Sequence, residues 1–444
     1  MISPLAIVTI IVISTLLFGS VETWAIAITG IITIAFFDIW FIRRFREAFR
    51  LQAPWEKWIA ISIVAFFSLS ILQLIPLPSY ILKAVSPGEY SIINRLSLSS
   101  VSAISLYRHA TMVEAVKFSL YLMVFLMASF GIEGRRDLKR IINSLIVFGF
   151  LLSIFAIIQK ATWNGKIYWF RELSSGGSAF GPFVNRNHFA GLIGMLIPLA
   201  LGVSLESRIR GKQAFFGFLC VVMGIALFYS LSRGGIISFF ASISVFSGIL
   251  LYNRTSKKSV FFIAVFLSVL FAYLIYLGIS PVIERFAQAE KDTSMAQRII
   301  AWQGTIKAIG DFWLFGSGLG TFQYVFPVYY PSGLQLFYDH AHNDYLEFFL
   351  ETGLIGAVIM ASFFFSLIMG IIKSNWNKGG IYIRAGLIAS ITSILIHSLV
   401  DFNLHIPSNA ITFSAVLGLL VAGLRMDAEG DKEPFMLKYG WDDE

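Results

Sequence analysis

The stretch F-Y-D-H-A-H-N-D-Y-L-E-F-F-L-E-T-G-L-I-G, from Phe337 to Gly356, decides how this sequence folds. Its first part is a polar loop with two histidines, and its second part begins an apolar segment long enough to form a membrane helix. Ionisable side chains are costly to keep beside such a helix, so they mark a functional site by default. We therefore interpret the stretch as the reactive edge of a membrane protein.

The composition is that of an integral membrane protein. Of the 444 residues, 57% are hydrophobic and 14% are charged, and the mean hydropathy of +0.76 is too high for a soluble globular domain. The single cysteine, Cys220, excludes an intrachain disulfide and a cysteine-based zinc site. The net charge of +8 arises in short basic clusters between apolar segments, which report membrane topology. We expect contacts with membrane lipids and no binding of nucleic acid.

Twelve apolar segments predict an all-α polytopic membrane fold, because a spanning helix needs ~20 predominantly apolar residues. The first segment is not followed by an A-x-A cleavage site, so we predict a membrane helix there and not a removable signal peptide. The segments are residues 3–19, 23–42, 58–77, 112–131, 141–160, 189–206, 214–231, 235–252, 259–280, 345–372, 385–400 and 410–424.

Basic residues set the predicted orientation. Most of the 34 Lys and Arg residues lie in alternate connections, beginning with residues 43–57, and in the tail, which places these connections and both termini in the cytoplasm. The long connections at 78–111, 161–188 and 281–344 then face outward, and the first is amphipathic enough to lie on the bilayer surface. The predicted units are N-terminal spans (1–180), a core that contains the large outward loop with its short helices (181–424) and a short cytoplasmic tail (425–444).

Two arginines lie at the predicted outer boundary. Arg233, in S-L-S-R-G-G, is either a snorkelling residue at a tight turn or an anion contact that two glycines leave accessible. Arg298 lies in the first turn of a helix that an S-x-x-Q capping box opens at Ser294 and that extends to about Ile309. It is either a solvated surface charge or a rigidly carried functional group. The G-S-G-L-G-T-F that follows matches no phosphate-binding motif, so we favour a structural turn.

His340 and His342 stand in the outward loop directly before a span. Their spacing does not match H-E-x-x-H and there is no D-x-D motif, so we predict no metal ion and no cofactor. Because the unperturbed pKa of histidine suits proton transfer near neutrality, we expect at least one of them to be a catalytic base or a substrate contact. Asn343, Glu347 and Glu351 form one polar stripe on the helix that follows.

Two further polar groups flank the core spans. His397 and Asp401 are four residues apart near the outer end of the eleventh span, and N-R-N-H, residues 185–188, precedes the sixth. Each group is either a structural hydrogen-bonded set or a support for reactive residues, and we favour support. We predict that Glu347 also supports the site, and that the substrate contacts are Asn185, Arg186, His188, Asn343 and Tyr345.

Taken together and in this order, these motifs resemble the O-antigen ligase and polymerase superfamily of bacterial membrane glycosyltransferases. The resemblance covers roughly residues 181–410, through G-P-F-V-N-R-N-H-F-A-G, S-R-G-G, A-Q-R-I-I-A-W, F-G-S-G-L-G-T-F, the stretch quoted first and H-S-L-V-D-F-N-L-H-I-P. It implies a GT-C-like helical glycosyltransferase architecture in the inner membrane, with a metal-free site on the periplasmic face. It also implies that the catalytic histidine is His342, the one before Asn, with His340 as the alternative, and that Arg233 and Arg298 are the two important arginines.

The activity that this resemblance implies is transfer, with inversion, of a glycan from undecaprenyl diphosphate to an acceptor hydroxyl. A diphosphate leaving group carries its own activation, so two arginines and one histidine are sufficient for the chemistry. Ligation of O-antigen to lipid A-core is favoured, and Wzy-type polymerisation and protein O-glycosylation are alternatives. A transporter of lipid-linked glycan is the alternative from another class, although few charges fall mid-span and no internal repeat is evident.

Overall fold

The computed structural model describes residues 2–44, 51, 53–95, 101–173, 178–255, 257–287, 293–332, 334, 337–374 and 380–428. Most of the predicted cytoplasmic tail lies outside these ranges. So do several basic residues on which the predicted orientation depends, namely Arg46, Arg50, Lys378, Lys432 and Lys438.

The described chain is almost entirely helical. Its strands form two short antiparallel pairs, β1 (Leu77–Pro78) with β2 (Val101–Ser102) and β3 (Lys166–Ile167) with β4 (Arg171–Glu172). The α-helices are α1 (Ile2–Leu16), α2 (Thr23–Arg44), α3 (Pro54–Leu74), α4 (Ser79–Val85), α5 (Pro87–Arg95), α6 (Arg108–Phe130), α7 (Arg135–Ala161), α8 (Arg186–Glu206), α9 (Arg210–Tyr229), α10 (Arg233–Tyr252), α11 (Lys257–Leu277), α12 (Ser280–Ala287), α13 (Thr293–Asp311), α14 (Phe322–Val325), α15 (Asp344–Lys373), α16 (Ile381–His397) and α17 (Pro407–Ala428).

Twelve of these helices coincide with the twelve predicted spans. Ten of them, α2, α3, α6 to α11, α15 and α17, are long and apolar enough to cross a membrane, and α1 and α16 are shorter apolar helices. The connections predicted to face outward lie together at one end of the bundle. Those at 20–22, 161–188, 281–344 and 401–409 contribute to one cavity described below, and the one at 78–111 meets the large loop where Leu106 N donates to Ser317 O at 3.0 Å. The predicted all-α polytopic membrane fold is confirmed, with α12, α13 and α14 in the predicted large loop.

Helix α8 forms the centre of the bundle and is buried along its length. It packs most closely against α16, where small residues bring the two backbones together. A Cβ atom added to Gly202 would lie 2.6 Å from the Tyr382 carbonyl oxygen, and one added to Gly386 would lie 2.7 Å from the Pro198 carbonyl oxygen. The N-terminus of α8 is thereby fixed beside the turn that follows α16.

Helix α15 is interrupted at Gly353, whereas the sequence predicts a continuous span at 345–372. Gly353 has φ +63° and ψ −166°, a conformation that is essentially restricted to glycine. The glycine-rich turn before α14 fills the break: Ser317 N donates to Leu350 O at 2.9 Å, and Leu354 N donates to Trp313 O at 2.7 Å. The turn is structural, as predicted, because its N–H groups are used inside the protein.

The helix that carries Arg298 is also present, with a small difference at its start. Helix α13 begins at Thr293, so Ser294 lies inside it and is not its N-cap, contrary to the predicted capping box. The indole Nε1 of Trp302, on α13, donates to the carbonyl oxygen of Ala341 at 2.9 Å. This bond ties α13 to the histidine loop.

Candidate active site

Asp401 lies at the centre of the polar site, in the turn after α16, and is 1% exposed. Its Oδ1 is 3.3 Å from His342 Nδ1, and its Oδ2 is 3.7 Å from Arg298 Nη2 and accepts a hydrogen bond from Asn187 Nδ2. His188 Nε2 lies 4.0 Å from Oδ1. Four separate segments, α8, α13, the histidine loop and the turn after α16, therefore converge on one carboxylate.

The surroundings of Asp401 keep it ionised. Burial opposes the charged form, but the hydrogen bond with His342 and the positive charge of Arg298 outweigh that effect and hold the pKa of Asp401 well below its usual range. An ionised carboxylate can only accept hydrogen bonds, so His342 carries a proton on Nδ1. In the neutral imidazole, Nε2 is then the nitrogen that is able to take a proton.

Arg298 is held in place by backbone as well as by charge. Its Nη1 donates to the carbonyl oxygen of Val400 at 2.5 Å, next to Asp401 in sequence, and its side chain is 20% exposed. The reading of Arg298 as a solvated surface charge is therefore wrong. The guanidinium is a fixed positive group beside the Asp401 carboxylate.

The backbone of His342 is strained. Its φ is +51°, in the left-handed region that residues other than glycine rarely adopt, at a cost on the order of 1 kcal/mol or more. The neighbouring residues hold it there, because Ala341 N donates to Glu347 Oε2 at 2.7 Å and Asp344 N donates to Ser398 O at 2.9 Å. Strain maintained in this way is common where a side chain must point in one functional direction.

His340 belongs to a different cluster from His342. Its Nδ1 is 2.7 Å from Glu347 Oε1, and His405 Nε2 is 3.3 Å from the same oxygen. His405 Nδ1 is in turn 2.8 Å from Asp344 Oδ1. The two loop histidines, which the sequence could not tell apart, thus have separate carboxylate partners.

The charges of this second cluster are strongly coupled. Burial lowers the pKa of both histidines, but the Glu347 carboxylate more than compensates and raises the pKa of His340 above its usual value. Burial likewise opposes the charge on His405, whereas Glu347 and Asp344 raise its pKa to about 10. Each of these two imidazoles therefore either carries a positive charge or shares a proton with a buried carboxylate.

Phe402 connects the two clusters. The ring of His340 stacks on it with a centroid distance of 4.4 Å and an interplanar angle of 19°, and the ring of His342 meets it edge to face at 4.8 Å. His188 meets the same ring at 4.9 Å. The phenyl ring fixes both imidazoles without supplying a hydrogen bond.

A cavity of about 610 Å³ opens beside the second cluster. His188, His340, Glu347, Phe402 and His405 line it, whereas its described lining does not include His342, Asp401, Arg233 or Arg298. Its wall is rich in acids and has, besides its histidines, two basic side chains: Lys117, paired with Glu114 at 2.8 Å, and Arg171, paired with Glu22. The acids of the wall are Glu22, Glu114, Glu172, Asp339, Glu347 and Glu351.

Arg233 lies beside the turn after α16. It is the first residue of α10, whose N-cap Ser232 accepts a hydrogen bond from Gly235 N at 3.2 Å. A Cβ atom added to Gly234 would lie 2.8 Å from Val400 Cγ2 and 2.9 Å from His397 Cδ2. The N-terminal ends of the helices that carry Arg233 and Arg298 therefore both approach Val400, and neither arginine belongs to the described lining of the cavity.

The predicted substrate contacts are distributed unevenly. Asn185 lines the cavity and accepts a hydrogen bond from Asn187 N, and Arg186 begins α8. Asn343 Oδ1 caps α15 by accepting from Tyr345 N and Leu346 N, so only its amide nitrogen is left for another partner. The hydroxyl of Tyr345 donates to Leu395 O at 2.8 Å, which directs it towards α16.

The supporting residues also differ in their environment. Glu347 binds both His340 and the backbone of Ala341, as a support would. His397 is buried against Gly234, and neither of its ring nitrogens has a hydrogen-bond partner among the described residues. A hydrogen-bonded pair of His397 and Asp401 is therefore not formed.

Asp344, Phe402 and His405 were not assigned a role from the sequence, whereas Asn187 belongs to the set 185–188 for which a supporting role was favoured. His405 lies in D-F-N-L-H-I-P, four residues after Asp401, and only its histidine chemistry signals a function. Its proximity to His340 arises because the turn after α16 packs against the first turn of α15, where Asp344 Oδ2 accepts from Leu404 N at 3.1 Å.

Comparison with known proteins identifies one family. Residues 218–361 match the family described as O-antigen ligase, and no curated protein matches the chain. The matched segment runs from α9 into α15 and contains Arg233, Arg298, His340, His342 and Glu347. The predicted resemblance is confirmed for this segment: residues 218–361 match the O-antigen ligase family, and they lie within a multi-pass membrane protein.

Proposed function

We propose that this O-antigen ligase-type membrane glycosyltransferase moves a glycan from undecaprenyl diphosphate to an acceptor hydroxyl, with His342 as the general base. The observation that carries the proposal is the pair formed by His342 Nδ1 and Asp401 Oδ1 at 3.3 Å, with Arg298 beside the same carboxylate. The site acts on the periplasmic face of the inner membrane, with both chain termini in the cytoplasm.

The proposed step is a single inverting displacement. The acceptor oxygen forms a bond to the anomeric carbon of the glycan while its proton passes to His342 Nε2. The bond between the anomeric carbon and the diphosphate oxygen breaks, and undecaprenyl diphosphate leaves with the bonding electrons. Arg298 and Arg233 neutralise the charge that develops on the leaving group, so the step itself needs no metal ion.

Asp401 supports the base without taking the proton. Its ionised carboxylate keeps the Nδ1 proton of His342 in place and stabilises the imidazolium that forms during transfer. Asn187 from α8 keeps the carboxylate oriented by donating a hydrogen bond to Oδ2. This division of roles favours His342 over His340 as the base.

The two sides of Phe402 suit different parts of the substrates. The diphosphate is an anion and fits the side of Arg298 and Arg233, whereas the acid-rich cavity fits neutral, hydroxyl-bearing sugars whose O–H groups donate to carboxylates. We therefore place the sugars in the cavity and the diphosphate on the side of Asp401 that carries the arginines.

The test is a transfer reaction with purified protein, a lipid-linked glycan and an acceptor glycolipid, without added metal. We expect His342→Ala and Arg298→Ala each to lower the rate on the order of 100-fold or more. The matched controls are His109→Ala and Arg210→Ala, two exposed residues outside the site, which should leave the rate unchanged. Near-normal product from both site variants would overturn the proposal.

The first acceptor that we propose is lipid A-core, with polymerisation as the alternative. Deletion of the gene followed by surface-polysaccharide analysis separates the two. Loss of a ligase leaves long chains on the lipid carrier and bare acceptor, whereas loss of a polymerase leaves acceptor that bears single repeat units.

A further inference from the structure

We propose that His340, Glu347 and His405 form a binding site for a divalent transition-metal ion of the Zn²⁺ class, separate from the His342–Asp401 pair. The sequence gives no sign of such a site, because the three residues match no metal motif. The fold brings one ligand atom from each residue to within 4.8 Å of the other two.

The donor set is one that such ions prefer. Two imidazole nitrogens and one carboxylate oxygen, with a fourth position left open, are the ligands of zinc sites that bind an exchangeable partner. All three residues line the cavity of about 610 Å³, so the fourth position faces a space that can hold water or a hydroxyl group. The site is therefore accessible as well as chemically suitable.

One pair of ligand atoms already has the spacing of a metal site. In a tetrahedral site with bonds of ~2.0–2.2 Å, ligand atoms lie ~3.3 Å apart. His405 Nε2 is 3.3 Å from Glu347 Oε1, whereas His340 Nδ1 is 2.7 Å from that oxygen. The third pair, formed by the two imidazole nitrogens, lies within 4.8 Å, so the His340 ring has to shift away from the carboxylate for all three atoms to reach one ion.

The groups that orient the ligands are also present. His405 presents Nε2 to the site because its Nδ1 is bound to Asp344 Oδ1 at 2.8 Å. The second oxygen of Glu347 accepts from Ala341 N at 2.7 Å. A histidine ligand whose other nitrogen is held by a carboxylate is the arrangement that is typical of metal centres, where it fixes the ring and raises its basicity.

The local charge also suits a divalent ion. Asp344 and Glu347 are 5% and 1% exposed, and they contact His405 and His340. Imidazoles bind a metal in the neutral form, and the two carboxylates then carry two negative charges that one divalent ion balances. The ion would also join the histidine loop to the turn at His405.

The proposal does not depend on the proposed transfer activity, because binding is measured with the metal alone. The full-length protein in detergent is freed of metal with a chelator, dialysed and titrated with Zn²⁺ or Co²⁺. Bound metal is measured by mass spectrometry, and the visible spectrum of bound Co²⁺ reports the ligand type and geometry. We expect one equivalent per chain and the spectrum of a four-coordinate nitrogen and oxygen site.

Variants locate the ion. His405→Ala and Glu347→Gln should weaken binding on the order of 100-fold or more, and Asp344→Asn, which alters the partner of His405 but leaves the three ligands in place, should weaken it ~10- to 100-fold. His342→Ala, two residues from His340, should bind as the wild type does. The cobalt spectrum of the wild-type protein tests the site even if a ligand variant fails to fold.

Two outcomes would overturn the proposal. One is binding of well under one equivalent by the wild type, in which case a proton shared by His405 and Glu347 occupies the site. The other is unchanged binding by both His405→Ala and Glu347→Gln, which would place the metal elsewhere.

Discussion

Asp401 Oδ1 lies 3.3 Å from His342 Nδ1, which joins two residues 59 positions apart in the chain. The same carboxylate reaches Arg298 and Asn187, so one buried acid organises the proposed base, an arginine and the start of α8. A buried carboxylate with several fixed partners is expected to control the protonation and direction of the group that it holds.

Asp401→Asn should lower the transfer rate on the order of 100- to 10,000-fold. The amide removes the negative charge that stabilises the His342 imidazolium, and its NH₂ group can face Nδ1 and favour the wrong tautomer. The measurement is the single-turnover rate together with KM, since loss of the base should lower the rate and change KM little.

The control for Asp401→Asn is its thermal unfolding, which shows whether the variant still folds. A folded variant that retains more than a tenth of the wild-type rate would contradict the role given to Asp401.

Trp302→Phe tests whether the histidine loop must be held rigidly. The indole Nε1 donates to Ala341 O at 2.9 Å, one residue before strained His342, and the phenyl ring removes that bond while keeping most of the packing. A lost hydrogen bond of about 1 kcal/mol predicts a rate about fivefold lower, with KM unchanged. Trp58→Phe, at an exposed tryptophan on α3, is the matched control and should have the wild-type rate.

The sequence predicts the spans well because each long apolar segment must bury itself in a membrane whatever its neighbours are. It also draws attention to His342 and Arg298, because their residue types suit the proposed chemistry and both lie in the predicted outward loop; their catalytic roles stay predictions. It does not predict that His340 and His342 have different partners. That difference depends on Phe402 and His405. His405 meets its partner Asp344, which is 61 residues away in the chain, only after α15 and α16 have packed.

The break in α15 is a second feature that the sequence does not reveal. A glycine within an apolar segment is compatible with a continuous membrane helix, so Gly353 carries no clear signal by itself. The break exists because the loop from Trp313 to Gly318 supplies hydrogen-bond partners to both sides of it. Such a long-range partner cannot be read from local sequence.

Glu89 should make the stability of the protein depend on pH. It is 2% exposed in α5, and burial raises its pKa from 4.5 to about 7, partly offset by a hydrogen bond from Ser102. Because the pKa in the folded state is above that in the unfolded state, the stabilisation is fully present below pH 4.5 and is lost as the pH rises through about 7.

Glu89→Gln mimics the protonated form and should remove this dependence. We expect the variant to be more stable than the wild type at pH 8, on the order of 2 kcal/mol, and similar to it at pH 4.5. Thermal unfolding at the two pH values measures the difference. Glu284→Gln, at an exposed acid on α12, should show no such change, and equal curves for Glu89→Gln and wild type at pH 8 would exclude the effect.

Gly353→Ala should destabilise the protein and disrupt the site. The backbone at Gly353 has φ +63° and ψ −166°, and an added Cβ atom would overlap the carbonyl group of Leu314. The conformational cost alone is about 1–3 kcal/mol, and relief of the overlap would push the loop before α14 out of the break. Because Glu351 accepts a hydrogen bond from Phe322 N at 3.0 Å, that movement would also disturb the cavity wall.

The matched control is Gly248→Ala in α10, where an added Cβ atom meets nothing within 4 Å. There the substitution should leave stability unchanged or raise it by up to ~1 kcal/mol, because alanine favours a helix more than glycine does. Thermal unfolding and the transfer rate are measured for both variants. If Gly353→Ala is as stable and as active as Gly248→Ala, then α15 runs through position 353 as the continuous helix that the sequence predicts, and the histidine loop does not depend on the break.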